Sequence, residues 1–218
     1  MNTKKTLIEI LLVIVFHNIS LLLLNRIFPD FGGVISTILT ACFLYWRLTS
    51  NGESLKDIGI ARPKNLTLAG VIAVANIPVA MTFSVLTAVI LRNYGITSAP
   101  PDIARFTGIQ GNVPLYASWM VMALLASSSE EIIYRGFMIS RLEKVLGRSG
   151  VSMVLILLMQ AAYFGVRHYY QGLVQAYAAG AIGLVFGISY MLTKRNLWPA
   201  MIAHTAMNLI SLTGRFLG

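Results

Sequence analysis

Apolar runs of about twenty residues recur along this chain, and no other feature restricts its fold so strongly. A helix needs ~20 such residues to cross a hydrocarbon core ~30 Å thick. Seven runs meet that length, over 6–27, 32–48, 67–91, 114–139, 151–170, 172–193 and 197–214. In a soluble domain, 218 residues with 56% hydrophobic and 11% charged content would leave too little polar surface. The expected fold is therefore all-α: a polytopic transmembrane helix bundle of about seven spans, with 1–218 forming a single integral membrane domain. The longest gaps, 49–66 and 92–113, are too short for a soluble domain. The first reads as an interfacial loop, and the second, with Pro100-Pro101, as an irregular connector or lid.

The net charge of +9 would suggest nucleic acid as a partner if it were gathered on one face. It is spread instead through short loops, so no nucleic-acid role is expected and the lipid bilayer is the expected surrounding. With an inside N-terminus, eleven of the 17 Lys and Arg fall inside: Lys4, Lys5, Arg47, Lys56, Arg62, Lys64, Arg141, Lys144, Arg148, Lys194 and Arg195. Five fall outside, namely Arg26, Arg92, Arg105, Arg167 and Arg215, and Arg135 lies within the membrane. The bias predicts a multi-pass protein of a bacterial-type cell membrane with its N-terminus cytoplasmic. The run Leu7–Leu24 is long for a signal peptide and no small-residue cleavage site follows it, so it reads as an uncleaved span. Cys42 has no second cysteine to pair with and reads as packing.

Smaller features agree with helices. Pro114 and Pro199 stand at span starts, where a missing N–H costs nothing. Pro78, mid-span beside Asn76, predicts a kink. Ala179, Gly183 and Gly187 make a small-residue face for close helix packing inside the bundle. No strong internal repeat is visible, which disfavours a transporter.

Three of the eight acidic residues lie in apolar runs: Glu9, Glu130 and Glu131. Glu9 is near a span end, within reach of headgroups. His17 and Asn18 read as polar contacts to a neighbouring helix. Glu130 and Glu131 lie deeper, where a charge costs ~2.5–3.5 kcal/mol on insertion scales. Glu131 and Arg135, four residues apart with the acid first, are placed to form a salt bridge. Glu130 then points about 100° away around the helix, free to act as a general base.

Glu130 is 19 residues before Ser149 and His168 is 19 after it, so a hairpin turning there brings both to one level. His204 and Asn208 share a face of the last span, and His204 lies about 12 Å inside the preceding turn. Carboxylate, two histidines and an amide at one depth could hold a water and stabilise a developing oxyanion.

Glu130-Glu131-x-x-x-Arg135, Phe164-x-x-x-His168 and His204-x-x-x-Asn208 resemble the three ordered motifs of the CPBP family. That family comprises the type II CAAX prenyl proteases and the bacteriocin-processing or immunity proteins, also called Abi. The resemblance covers about 114–214 and implies a four-helix catalytic core there. It implies a glutamate-dependent intramembrane endopeptidase acting on a membrane-associated peptide or protein. Glu130 would be the base and His168 its partner in activating water. His204 and Asn208 would polarise the carbonyl, and Glu131 with Arg135 would shape the site. Whether such a substrate is prenylated, and the oligomeric state, are not encoded in the motifs.

Members of the family are often labelled metalloproteases, and Glu130, His168 and His204 could form a zinc set. No His-Glu-x-x-His is present, and a liganded Glu130 could not also act as the base. Metal-free catalysis is the expectation, with zinc as the alternative. A rhomboid-like serine protease is a rival reading because Gly147-Arg148-Ser149-Gly150 has the Gly-x-Ser-Gly pattern. Ser149 sits in a basic hairpin, however, where it reads as a helix cap. Two further readings compete from outside the proteases. One is a non-catalytic immunity or scaffolding protein, and the second is a small transporter relaying protons through Glu130.

Overall fold

A computed structural model describes residues 2–97 and 106–218. Among these residues every regular element is helical. In chain order they are α1 (Thr3–Ile27), α2 (Gly32–Ser50), α3 (Leu66–Asn93), α4 (Val113–Glu131), α5 (Ser140–Leu146), α6 (Gly150–Arg167), α7 (Leu173–Leu192) and α8 (Trp198–Leu217). A π-helical segment, Ile132–Ile139, joins α4 to α5 without a break. The described residues thus form seven rods at the positions of the seven apolar runs.

Four of the helices, α1, α3, α6 and α7, are long and apolar enough to cross a membrane. Helices α2, α4 and α8 fall short through polarity, and the seven-residue α5 through length. Within α4 the Ser127–Glu131 stretch, and within α8 His204, Asn208 and Arg215, dilute the apolar content. The predicted 151–170 span also ends early, because α6 stops at Arg167 and His168 is its C-cap. A short 3₁₀ turn, Tyr169–Gln171, leads from there into α7.

Helix ends follow the local chemistry. Asn65, Asn112 and Ser149 cap α3, α4 and α6 by accepting from Leu68, Leu115 and Ser152 backbone N–H groups. Pro114 and Pro199 stand in the first turns of α4 and α8. Pro78 lies inside α3, where the neighbouring Asn76 donates to Ser189 Oγ of α7 at 2.8 Å.

The small-residue face of α7 packs within the bundle. A Cβ on Gly183 would meet Phe164 at 3.1 Å and one on Gly187 would meet Gln160 at 2.6 Å, both on α6. The apolar core gathers around the π segment. Phe137 is fully buried there against Val13 of α1 and Leu44 and Leu48 of α2, Ile139 against Ile156 of α6, and Ile133 in a cluster with Phe164 of α6 and Ala179 of α7.

One end of the bundle is tied by charges. Arg141 donates to Glu9 at 2.7 Å and also pairs with Glu53, which Lys144 reaches at 2.6 Å. Glu143 joins Arg148 at 2.9 Å and Arg195 at 2.6 Å. Glu9 is therefore a buried ion-pair partner, 2% exposed, rather than a snorkelling group, because Arg141 reaches it from α5. Burial disfavours charge on Glu53, but hydrogen bonds and charge from Lys144 and Arg141 outweigh it and hold the carboxyl below its ordinary value. Hydrogen bonds from the Ser54 backbone and hydroxyl lower Asp57 likewise.

The 49–66 loop is more than interfacial. Its turn Leu55–Ile58 buries Ile58, whose carbonyl accepts from Tyr190 Oη at 3.2 Å. Gly59 takes φ +103°, and a Cβ there would strike the Arg195 carbonyl. The Leu197 N–H donates to the Gly59 carbonyl at 3.0 Å and fastens the loop to the start of α8.

Cys42 is exposed, so it does not serve the core as expected. His17 is buried with neither ring nitrogen hydrogen-bonded among the described residues, which differs from the expected polar contact. Asn18 beside it does make one, accepting from Arg167 Nη1 at 2.9 Å. Pro100-Pro101 lies outside the described residues.

Candidate active site

Helix α4 delivers three polar side chains within one and a half turns: Ser127, Glu130 and Glu131. The π segment begins immediately afterwards and carries Arg135. Single π turns inside helices often mark functional sites, since the wider turn frees groups that a regular helix would hold. Nothing in the residue pattern signals this one.

Arg135 and Glu131 are both fully buried and bonded, Nη1 to Oε1, at 2.9 Å. The guanidinium sits over the Phe164 ring at 4.5 Å and the Phe186 ring at 5.5 Å. Its Nη2 also donates to the Gly183 carbonyl at 3.3 Å. Gln160, which belongs to none of the three motifs, donates to the same carbonyl at 2.9 Å. A buried cation needs such partners because desolvation alone would be prohibitive.

His204 bridges the two glutamates. Its Nδ1 lies 2.8 Å from Glu131 Oε1, and its Nε2 lies 3.6 Å from Glu130 Oε2. A carboxylate paired with Arg135 can only accept, so the Nδ1 of His204 carries a proton. This His204–Glu131 bond is invisible in the sequence, because spacing along one helix says nothing about which carboxylate faces α8.

His168 shows a similar constraint. Its Nδ1 lies 2.9 Å from the Phe164 carbonyl, which can only accept, so Nδ1 carries the proton. In the neutral ring, Nε2 is then left with a lone pair. Asn208 donates to Ser127 Oγ at 2.9 Å, and Ser127 passes its own proton to the Ala123 carbonyl at 2.7 Å. Ser127 is a second site residue that the motifs miss, a small hydroxyl among three consecutive serines.

Glu130, His168, His204 and Asn208 all line one cavity of about 230 Å³. Val34, Phe106, Trp119 and Leu212 form much of its apolar wall. Glu130 and His168 share this cavity but are not hydrogen-bonded to each other among the described contacts. Glu131 and Arg135 stand behind the wall and act on it through His204.

Glu130, His168 and His204, the alternative zinc set, line this same cavity. Among the described residues no group of three or more His, Cys, Asp or Glu is placed to hold a metal ion. Ser149 is occupied as the cap of α6, bonded to Ser152 N–H at 3.1 Å and paired with its hydroxyl at 2.8 Å. That engagement fits the reading of Ser149 as a helix cap.

Residues 112–210 match the family described as type II CAAX prenyl endopeptidase Rce1-like. The match is consistent with the CPBP family that the three motifs resemble, and its bounds enclose Ser127, Glu130, Glu131, Arg135, His168, His204 and Asn208. No curated protein and no solved structure matches the chain. Four helices long and apolar enough to cross a membrane, together with this match over 112–210, suggest an integral membrane protein.

Proposed function

We propose that the protein is a seven-span intramembrane endopeptidase, N-terminus inside, that hydrolyses a peptide bond of a membrane-associated protein or peptide. The observation that carries this reading is the convergence of Glu130, His168, His204 and Asn208 on one cavity with apolar walls. Glu130 takes a proton from a water molecule that the His168 Nε2 lone pair helps to orient. The water oxygen bonds to the scissile carbonyl carbon, and the carbonyl π pair moves onto its oxygen. His204 Nε2–H and the Asn208 amide donate to that oxyanion. When the C–N bond breaks, protonated Glu130 returns its proton to the leaving amine.

The supporting pair has a defined task in this scheme. Glu131 accepts from His204 Nδ1 and so favours the imidazolium that donates at Nε2, as a buried carboxylate does for a catalytic histidine elsewhere. Arg135 keeps Glu131 an acceptor. The apolar wall excludes bulk water, which strengthens each of these polar contacts.

The test uses the full chain in liposomes with candidate membrane-anchored peptides, comparing wild type with Glu130→Gln, His168→Ala and His204→Ala. Each substitution is expected to lower the cleavage rate by about 10²–10⁴-fold. Unchanged cleavage in Glu130→Gln would overturn the reading.

A further inference from the structure

The cavity that holds Glu130, His168, His204 and Asn208 extends from them toward one end of the bundle. Val34 in the first turn of α2, Trp119 early in α4, and Ser211 late in α8 line that extension. Tyr170 and Gln171, in the turn between α6 and α7, line it too. Contacts across the bundle gather these segments at a single end. Phe31, just before α2, stacks on Trp119 at 4.9 Å, and Tyr116 of α4 hydrogen-bonds Thr213 of α8 at 2.7 Å. Tyr170 is 56% exposed there and Ser211 is also exposed, so water and a polar chain can reach the cavity from this side.

The opposite direction is closed. Glu130 and Glu143 are thirteen residues apart, about 20 Å along a helix. Between them lies packed core: Phe137, Ile139 and Leu197 are fully buried, and Tyr190 is 1% exposed. Interiors packed to native density leave few voids larger than a water molecule. Among the described residues, the charged pocket around Glu53, Arg141 and Glu143 shares no lining residue with the catalytic cavity.

The two ends also differ in charge. Ion pairs join Glu9 near the start of α1, Arg141 and Glu143 of α5, and Arg195 before α8 at the closed end. Helix directions put Lys4, Lys5, Lys56, Arg62, Lys64 and Lys194 at that end as well. At the cavity end the described residues supply only Arg26, Arg92, Arg167 and Arg215. Basic residues are retained on the cytoplasmic side, so the closed end belongs inside and the cavity end outside.

We infer that the site is entered from the non-cytoplasmic face, and that its substrate is an exported segment: a stretch of polypeptide already carried across the membrane, beside its own anchor. This inference rests on the endopeptidase reading and on the inside N-terminus proposed with it. A substrate presented in the cytoplasm would have to pass the buried layer of Phe137, Ile139 and Leu197 to reach Glu130.

The experiment reads the opening first and the substrate second. Cys42 is the only cysteine, so the full chain with Cys42→Ser carries no thiol. Into it go Gln171→Cys or Ser211→Cys at the mouth, and Lys64→Cys at the closed end. Right-side-out and inverted membrane vesicles are treated with a membrane-impermeant maleimide, which needs a thiolate in contact with water. The expected result is labelling of both mouth cysteines in right-side-out vesicles and of Lys64→Cys only in inverted ones. Two mouth positions guard against one variant failing to insert. Labelling of the mouth only in inverted vesicles, from both faces, or from neither would overturn the inference, as would labelling of Lys64→Cys from outside. The second arm coexpresses the protein with a pool of single-helix reporters carrying a randomised segment beside the anchor, presented either outside or inside. Cleavage is expected in the outward pool alone and is lost with Glu130→Gln. Glu130-dependent cleavage of the inward pool would overturn the inference. The expected labelling with neither pool cleaved would count instead against the endopeptidase reading, leaving the outward opening established.

Discussion

Glu131 and His204 meet across α4 and α8 through a 2.8 Å hydrogen bond, on the same carboxylate oxygen that receives Arg135. One acid therefore has two tasks: it neutralises a buried guanidinium and orients a histidine that faces Glu130. The substitution Glu131→Gln separates these tasks. Leaving Arg135 buried without its counter-charge costs about 3–5 kcal/mol, read as a lower unfolding temperature in detergent. The double variant Glu131→Gln with Arg135→Met removes the stranded charge and is expected to regain most of that stability. Cleavage stays reduced by about 100-fold or more in both, because the His204 imidazolium has lost its acceptor. Recovery of activity along with stability in the double variant would show that the pair is only structural.

Ser127 offers a subtler test. Its hydroxyl links Asn208 to the Ala123 carbonyl, which fixes the direction of the amide without touching the cavity reaction itself. In Ser127→Ala the Asn208 amide loses one anchor, worth about 1 kcal/mol. The expected result is a fall in kcat of about fivefold, with KM and unfolding temperature little altered. Asn208→Ala removes the amide proposed as an oxyanion donor and is expected to cost about 10²–10³-fold. Equal losses in the two variants would place Ser127 in direct contact with substrate.

How far the sequence discloses this arrangement depends on which interactions are local. The rods follow from runs of apolar residues, and the Glu131–Arg135 pair follows from one helical turn. Symmetry about Ser149 predicts one level for Glu130 and His168, and both line one cavity. What escapes a sequence is relational. Nothing in the spacing of His204 distinguishes Glu131 from Glu130 as its partner. Within the π segment Gly136 lets the Ile58 carbonyl approach from a loop 78 residues earlier, where a Cβ would meet it at 2.9 Å. Glu9 resembles a headgroup-level acid because its partner, Arg141, is 132 residues away in the chain.

The charged end of the bundle carries an acid-sensitive contribution. Glu53 titrates below its ordinary value of 4.5 when folded. A carboxyl depressed in this way contributes its stability above the unfolded value and loses it as pH falls through the folded one. The unfolding temperature is therefore expected to hold steady from neutral pH down to about 4.5 and to fall at lower pH. Glu53→Gln should unfold at a lower temperature near neutrality and show a shallower acid decline. A decline of unchanged steepness would assign the acid sensitivity to another group.

Gly165 connects packing to the site most directly. A Cβ there would lie 2.6 Å from the Ala176 carbonyl and 3.3 Å from Gly180, both backbone positions of α7 that cannot swing aside. The Gly165 carbonyl also receives the His168 backbone N–H at 2.9 Å, so the same residue sets both the α6–α7 spacing and the start of the turn bearing His168. Gly165→Ala must push α7 outward or shift the end of α6. The overpacking is expected to cost about 1–3 kcal/mol, and displacement of His168 by even about 1 Å to cost about 100-fold in rate. Loosening the same α6–α7 contact one turn earlier instead, with Ala161→Gly on α6, tests whether space or backbone position matters. Ala161 is a buried neighbour of Gly183, so that change loosens the interface without touching the His168 turn. Activity that falls with Gly165→Ala and survives Ala161→Gly would tie the effect to the position of His168. Equal loss in both would tie it to general helix packing.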